Sequence, residues 1–131
     1  VAVVIPTRDR GEAVLRAVRS VLAGSFTAFE LVVVDQSDDP RTQTALATID
    51  DARVVYRRDP RRGLSHALNC GVAATAAELI AITGDDCEVA PDWLARVVAA
   101  FAESPDAGIV FGSVHPGAHD AGRGFVQAYT G

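Results

Sequence analysis

Short apolar runs alternate with stretches of helical period along most of the chain. Residues 1–5, 31–34, 53–56, 79–83 and 109–111 are runs of strand length, rich in valine and isoleucine. Between them Val14, Val18, Val21 and Leu22 recur at helical spacing, with Gly24 as the stop. Leu64, Leu68 and Val72 make an i, i+4, i+8 stripe on a later helix, beside Ala67 and Gly71, which permit close packing. Trp93, Leu94, Val97, Val98 and Phe101 mark a last helix, with Trp93 read as a core anchor. The helix starts carry signals too. Asp9 with Glu12 reads as a capping box, and Asp39 before Pro40 as the cap of a helix to about Ile49. Pro91 reads as N1 of the last helix, with Asp92 at the positive end of its dipole. From Pro116 onward the periodicity fades.

Strand and helix thus alternate four times with short connections. That pattern predicts right-handed crossovers and a parallel sheet covered on both faces. Ligands in such sheets sit beyond the carboxyl ends of the strands, where strand order reverses. With the order 3-2-1-4, the crevice lies beside the first strand, and Pro6, Thr7, Asp35, Asp85 and Asp86 all fall at strand ends around it. Adjacent carboxylates repel one another, so the Asp85–Asp86 pair needs an offsetting charge. A divalent cation carrying phosphates would supply it; the plainer reading is a polar turn.

Composition narrows the field. The 131 residues are 49% hydrophobic and 22% charged, enough for a real core, and a net charge of −5 argues against general nucleic-acid binding. No apolar run has the length of a membrane span, and no signal-peptide pattern opens the chain. Cys70 and Cys87 lack metal-knuckle spacing, so reduced thiols in the cytoplasm are expected. All 12 basic residues are arginine. The first residue lies inside a strand-like run and methionine is absent, so a piece of a longer protein, cut at both ends, is expected.

Four motifs in order carry a family resemblance. Residues 4–10, Val-Ile-Pro-Thr-Arg-Asp-Arg, residues 32–35, Val-Val-Val-Asp, residues 63–71, opening Gly-Leu-Ser-His, and Gly84-Asp85-Asp86 stand at successive strand ends. Together they resemble the nucleotide-diphospho-sugar-binding half of family-2 glycosyltransferases, over nearly the whole chain. The resemblance implies the GT-A fold, a Rossmann-like three-layer α/β/α sandwich with a mainly parallel sheet, as one domain over 1–131. It implies that Pro6, Thr7, Arg8 and Arg10 line the nucleoside pocket, and that Asp35 bonds the base, commonly uracil. It also implies that Arg62, Gly63 and Asn69 lie near the diphosphate, that Asp85 binds substrate, and that Asp86 ligates Mg²⁺ or Mn²⁺. The implied donor is a UDP-sugar, transferred to an unidentified acceptor hydroxyl with inversion.

Two positions depart from the family pattern. Gly84 stands where the first aspartate of the DxD motif is usual, and Leu68 where an arginine is usual, which leaves Arg62 or His66 to bring positive charge to the diphosphate. Asp120 is the one carboxylate between Gly112 and Gly131 and its context does not suit a general base, so the base is expected beyond Gly131 and the chain alone is expected to be inactive. Plainer roles are expected elsewhere. Asp38 and the arginines around Pro60 read as a solvated loop, His66 as a surface residue, Cys87 as a small filler, and His115 and His119 as non-ligands. The alternatives are a nucleotidyltransferase-like domain, which would open with a glycine-rich loop, and a non-catalytic nucleotide-binding α/β module.

Overall fold

The computed structural model describes residues 1–118 together with Gly122, Ala128 and Tyr129. The chain divides into two compact units, Val1–Arg96 and Val97–Gly131. The element order is β1 (Ala2–Thr7), α1 (Gly11–Leu22), β2 (Glu30–Asp35), α2 (Arg41–Leu46), β3 (Val54–Arg58), α3 (Leu64–Ala73), β4 (Ile80–Ile82) and α4 (Trp93–Glu103). Among the described residues the four strands form one parallel sheet, as the alternation predicts, and their order is β3-β2-β1-β4.

Central strands with apolar residues at every position must be covered on both sides, and β1 and β2 are. Val4, Val32 and Val34 point to one face, where they pack with Ala67 of α3. Val3, Ile5, Leu31 and Val33 alternate to the other face and are fully buried. α1 connects parallel β1 and β2 and buries Val14, Val18 and Val21, and crossovers of this kind are right-handed as a rule. The run at 79–83, expected to be buried throughout, contracts to three residues of β4. Strand order puts β4 at the edge, so only Ala81 is buried and Ile82 is half exposed.

α3 departs most instructively from its pattern. Leu64 is 64% exposed and Val72 is also exposed, while Ala67 and Gly71 face the sheet. Distance is the cause. A Cβ on Gly71 would lie 2.4 Å from Val4 Cγ1 and 3.3 Å from Val34 Cγ2, so at this point of the helix no side chain fits against β1 and β2, while Leu68 packs partly buried beside it.

Three helix starts also differ from expectation. Asp9 does not cap α1: its φ of 57° turns the chain out of β1, and Arg10 takes the cap position without a side-chain cap bond. Asp39 lies one residue before the cap, Pro40, and instead accepts the Arg41 N–H at 2.9 Å in a local turn. α2 ends at Leu46 because Thr48 and Ile49 donate to carbonyls three residues back, closing it with tight turns. α4 begins at Trp93, after Pro91; Trp93 is only partly buried and Leu94 is the buried residue.

The fifth strand expected at 109–111 is absent. Phe111 is 84% exposed, and among the described residues none pairs with this run. An antiparallel bridge joins Val114 to Tyr129. No helix among the described residues is long and apolar enough to cross a membrane.

The Gly71 contact makes a direct prediction. Gly71→Ala should destabilise the protein by roughly 1–3 kcal/mol, overpacking outweighing the better helix propensity of alanine. Val4→Ala in the same chain should relieve part of that loss. Denaturant melts of both single variants and the double would reveal it; strictly additive losses would mean the two residues do not clash.

Candidate functional site

The carboxyl ends of β1, β2 and β4 bring the predicted polar residues to one edge of the sheet. Thr7, the last residue of β1, donates its hydroxyl to Asp85 Oδ2 at 2.8 Å in a buried bond. Arg10 Nη1 bridges the two acids, at 3.2 Å from Asp85 Oδ1 and 3.0 Å from Asp86 Oδ2. The repulsion within the Asp85–Asp86 pair is therefore offset by this guanidinium. Asp85 in turn, ahead of Asp86, strengthens the hold of Arg10 on its proton.

The turn that aims Arg10 is itself fixed by β2. Aspartate tolerates left-handed backbone better than most residues, and the Asp9 N–H is held by Ser37 Oγ at 2.8 Å. Ser37 is locked from below. Its N–H and its hydroxyl both donate to Asp35 Oδ1, the N–H at 2.9 Å, and its oxygen lies 3.0 Å from Thr42 Oγ1. Asp35 Oδ2 accepts the Tyr56 hydroxyl at 2.9 Å, so both oxygens of this fully buried carboxylate are bonded. Burial, then the bond to Asp35, pushes the Tyr56 phenol up to about 12.

A cleft of about 310 Å³ opens at this edge, lined by Pro6, Thr7, Arg8, Arg10, Gln36, Leu64, Gly84 and Asp85. Five of the residues singled out in the sequence, Pro6, Thr7, Arg8, Arg10 and Asp85, thus share it. Asp35 lies beneath it, and Asp86 beside it with an exposed carboxylate. Arg62, Gly63 and Asn69 are exposed and do not line it.

Gln36 and Leu64 were missed by the sequence reading. Gln36 directly follows the last residue of β2, the position that the strand-end rule marks, and its side chain clasps the next loop. Its amide nitrogen donates to the carbonyls of Arg61 and Gly63, and its amide oxygen accepts the Gly63 N–H at 3.2 Å. Gly63, with φ of 119°, makes the turn into α3 that a side chain would strain. Leu64 was assigned to a core stripe; the close approach of α3 turns it toward the cleft mouth instead.

The arginine-rich loop is solvated, as expected, and its exposed arginines also make ion pairs and backbone bonds. Arg58 donates to the Ser37 carbonyl at 2.8 Å, Arg62 pairs with Asp38 at 2.6 Å, and Arg61 pairs with buried Asp59 at 2.9 Å. Arg61 holds the Asp59 carboxyl below its usual range. His66 and His115 are exposed. His119 and Asp120 lie outside the described residues. Cys87 is partly buried, and burial followed by the Asp86 charge pushes its thiol up.

The donor chemistry bears on a metal. Among the described residues no group of three or more histidines, cysteines and acids could enclose one. Both Asp85 oxygens are engaged, whereas Asp86 is 62% exposed. A single accessible carboxylate suits a hard cation that takes its other ligands from phosphate and water.

The sequence matches the family described as Glycosyl transferase family 2 over residues 2–128. It is 33% identical over 121 residues to a glucosyl-dolichyl phosphate glucuronosyltransferase of Haloferax volcanii, covering 88% of this chain and 38% of the relative. Among solved structures it resembles a mannosyltransferase from Pyrobaculum calidifontis in complex with GDP-Man and Mn²⁺. That likeness has a TM-score of 0.70 and 28% identity, covering 79% of this chain and 32% of the other. TarS of S. aureus, solved with UDP-GlcNAc, shares the fold with a TM-score of 0.68 at 20% identity, over 78% of this chain and 31% of its own. The chain spans well under half the length of each.

The Tyr56–Asp35 bond predicts an alkaline signature. The folded protein keeps the Tyr56 proton up to about pH 12. The unfolded chain releases it near 10. Stability from this bond is therefore complete below pH 10 and drains away as pH rises toward 12. Tyr56→Phe should cost about 1–3 kcal/mol at neutral pH, by leaving a buried carboxylate oxygen without its donor. The gap to wild type should shrink at pH 11.5. Urea melts at pH 7 and 11.5 would test it, and a gap independent of pH would contradict the assignment.

Proposed function

The chain belongs to glycosyl transferase family 2, and from that premise we propose that its sheet edge binds the nucleoside-diphosphate part of a sugar donor. The observation that carries this reading is the convergence of Thr7, Arg10 and Asp85 in one cleft, with Asp86 exposed beside it. Pro6, Thr7, Arg8 and Gln36 would face the nucleoside, with Asp35 beneath them. Arg10, Arg62 and the turn at Gly63 would face the diphosphate, with Asn69 further along α3. A UDP-sugar is the donor we favour.

Asp86 would hold the divalent cation, Mg²⁺ or Mn²⁺; a structural neighbour at 28% identity carries Mn²⁺ with its donor. Such an ion stabilises the negative charge that grows on the diphosphate as the bond to the sugar C1 breaks. Arg10 and Arg62 add positive charge on the same side, and Thr7 keeps Asp85 fixed so that Asp86 presents its carboxylate outward. The acceptor hydroxyl would attack the opposite face of C1, giving inversion. We assign the general base to sequence beyond Gly131, in keeping with the greater length of the relatives. The present chain should then bind nucleotide without transferring sugar.

Asp86→Ala should weaken Mn²⁺-dependent binding of UDP by about 30- to 1000-fold while leaving the thermal melt unchanged. Asp85→Ala should lower the melting temperature as well, because Thr7 and Arg10 lose their shared partner. Gly84→Asp should be tolerated: Gly84 is not among the positive-φ residues, and the nearest atom to an added Cβ is the mobile Asp86 Oδ1 at 2.9 Å. Titration calorimetry with UDP and Mn²⁺ reads the affinities, and thermal melts of the three variants read the stability. Equal affinity in wild type and Asp86→Ala would reduce the acid pair to a turn.

A further inference from the structure

The bridge from Arg10 to both acids suggests more than a binding contact. We infer that Arg10 is a built-in counter-ion that a divalent cation must displace from Asp86 before the donor can be held. The inference rests on Asp86 being the metal's ligand, as proposed above. A single guanidinium nitrogen lies within hydrogen-bond distance of Asp85 Oδ1 and Asp86 Oδ2, so the carboxylate that would ligate a metal is already bonded to a cation. Other nearby cations are engaged elsewhere: Arg8 pairs with Asp9 at 3.4 Å and Arg16 with Glu88 at 3.5 Å.

The two halves of the bridge differ. Asp85 is buried and stays bonded to Thr7, so it is a fixed anchor. Asp86 and Arg10 are exposed, at 62% and 54% of their side chains, so this half opens by rotation of two surface side chains. Arg10 uses one nitrogen of a five-donor fork, and it also lines the cleft. Once swung off Asp86, the fork is free to take phosphate oxygens, for which its planar geometry is suited. Metal and donor would then bind cooperatively through one side chain. Arg10 opposes the metal when the metal is alone and assists when phosphate accompanies it.

Opposed signs test this. Arg10→Gln should bind Mn²⁺ alone about 3- to 10-fold more tightly than wild type, and UDP at saturating Mn²⁺ about 3- to 10-fold more weakly. Free Mn²⁺ read by electron paramagnetic resonance gives the first constant, and calorimetry the second. Arg10→Lys keeps the charge without the fork and should shift both constants less, in the same directions; it serves should the glutamine variant fold poorly. Asp86→Asn should abolish Mn²⁺ binding in either background. Unchanged or weaker Mn²⁺ binding by Arg10→Gln, or none by any variant, would overturn the displacement. Mn²⁺ binding that survives Asp86→Asn would instead overturn the assignment of the metal to Asp86.

Discussion

A buried carboxylate must be paired, and Asp85 is the residue whose pairing organises this edge of the sheet. Its two oxygens are taken by Thr7 from β1 and by Arg10 from the turn that follows. For Arg10 to reach back, the chain must reverse at Asp9, and that turn is held by Ser37. Ser37 is in turn fixed by Asp35, and Asp35 by Tyr56 on β3. One line of hydrogen bonds therefore runs from β3 through β2 and β1 to the exit of β4. The alternation of the strands makes it possible: the parallel register puts Thr7 opposite Asp35, so their side chains share a face. Fully satisfied networks of this kind fix geometry more firmly than any single bond, and a cleft that must present an exposed Asp86 needs such a footing.

Much of this was legible in the sequence, because it follows from chain order. Four strand-helix alternations fix a parallel sheet, the crossovers fix its hand, and the strand-end rule then points to Thr7, Asp35 and Asp85 without any coordinates. What was not legible depends on distance. Periodicity identified α3, and the close packing of Ala67 and Gly71 was legible, but it placed Leu64 and Val72 with Leu68 on the core face, since apolar bulk usually marks burial; only Leu68 packs there. The sheet approaches so closely at Gly71 that bulk is excluded there, and the small residues form the contact. The same limitation hid Gln36, whose clasp on the next loop depends on where that loop lies. The run at 109–111 differs for another reason: three apolar residues make a strand only by pairing, and among the described residues none pairs with them.

Asp35 and Gln36, adjacent at the end of β2, hold different parts of the cleft. The Asp35 carboxylate is fully buried, with Oδ1 bonded to Ser37 and Oδ2 to Tyr56. Gln36, the next residue, already faces the cleft, and its amide ties the cleft wall to Gly63 at the start of α3. Position 35 thus supports the turn that aims Arg10, while position 36 links the wall to the arginine-rich loop.

The two departures from the family pattern can be weighed by their surroundings. Leu68 is partly buried against Val4, Val32, Val34 and Ala67, on the sheet side of α3. An arginine there would have to thread past this cluster to reach the cleft. Positive charge has to come from another element, and the arginines differ in their freedom to supply it. Arg61 is committed to Asp59 and Arg58 to the backbone at Ser37, whereas Arg62 and Arg10 are exposed and held by exposed acids. Exposed pairs are worth little and exchange readily. Gly84 fits the same logic, since a glycine beside Asp86 leaves that carboxylate room to rotate away from Arg10. Read together, the departures replace fixed charges with movable ones at the edge where the charge of a ligand would have to be met.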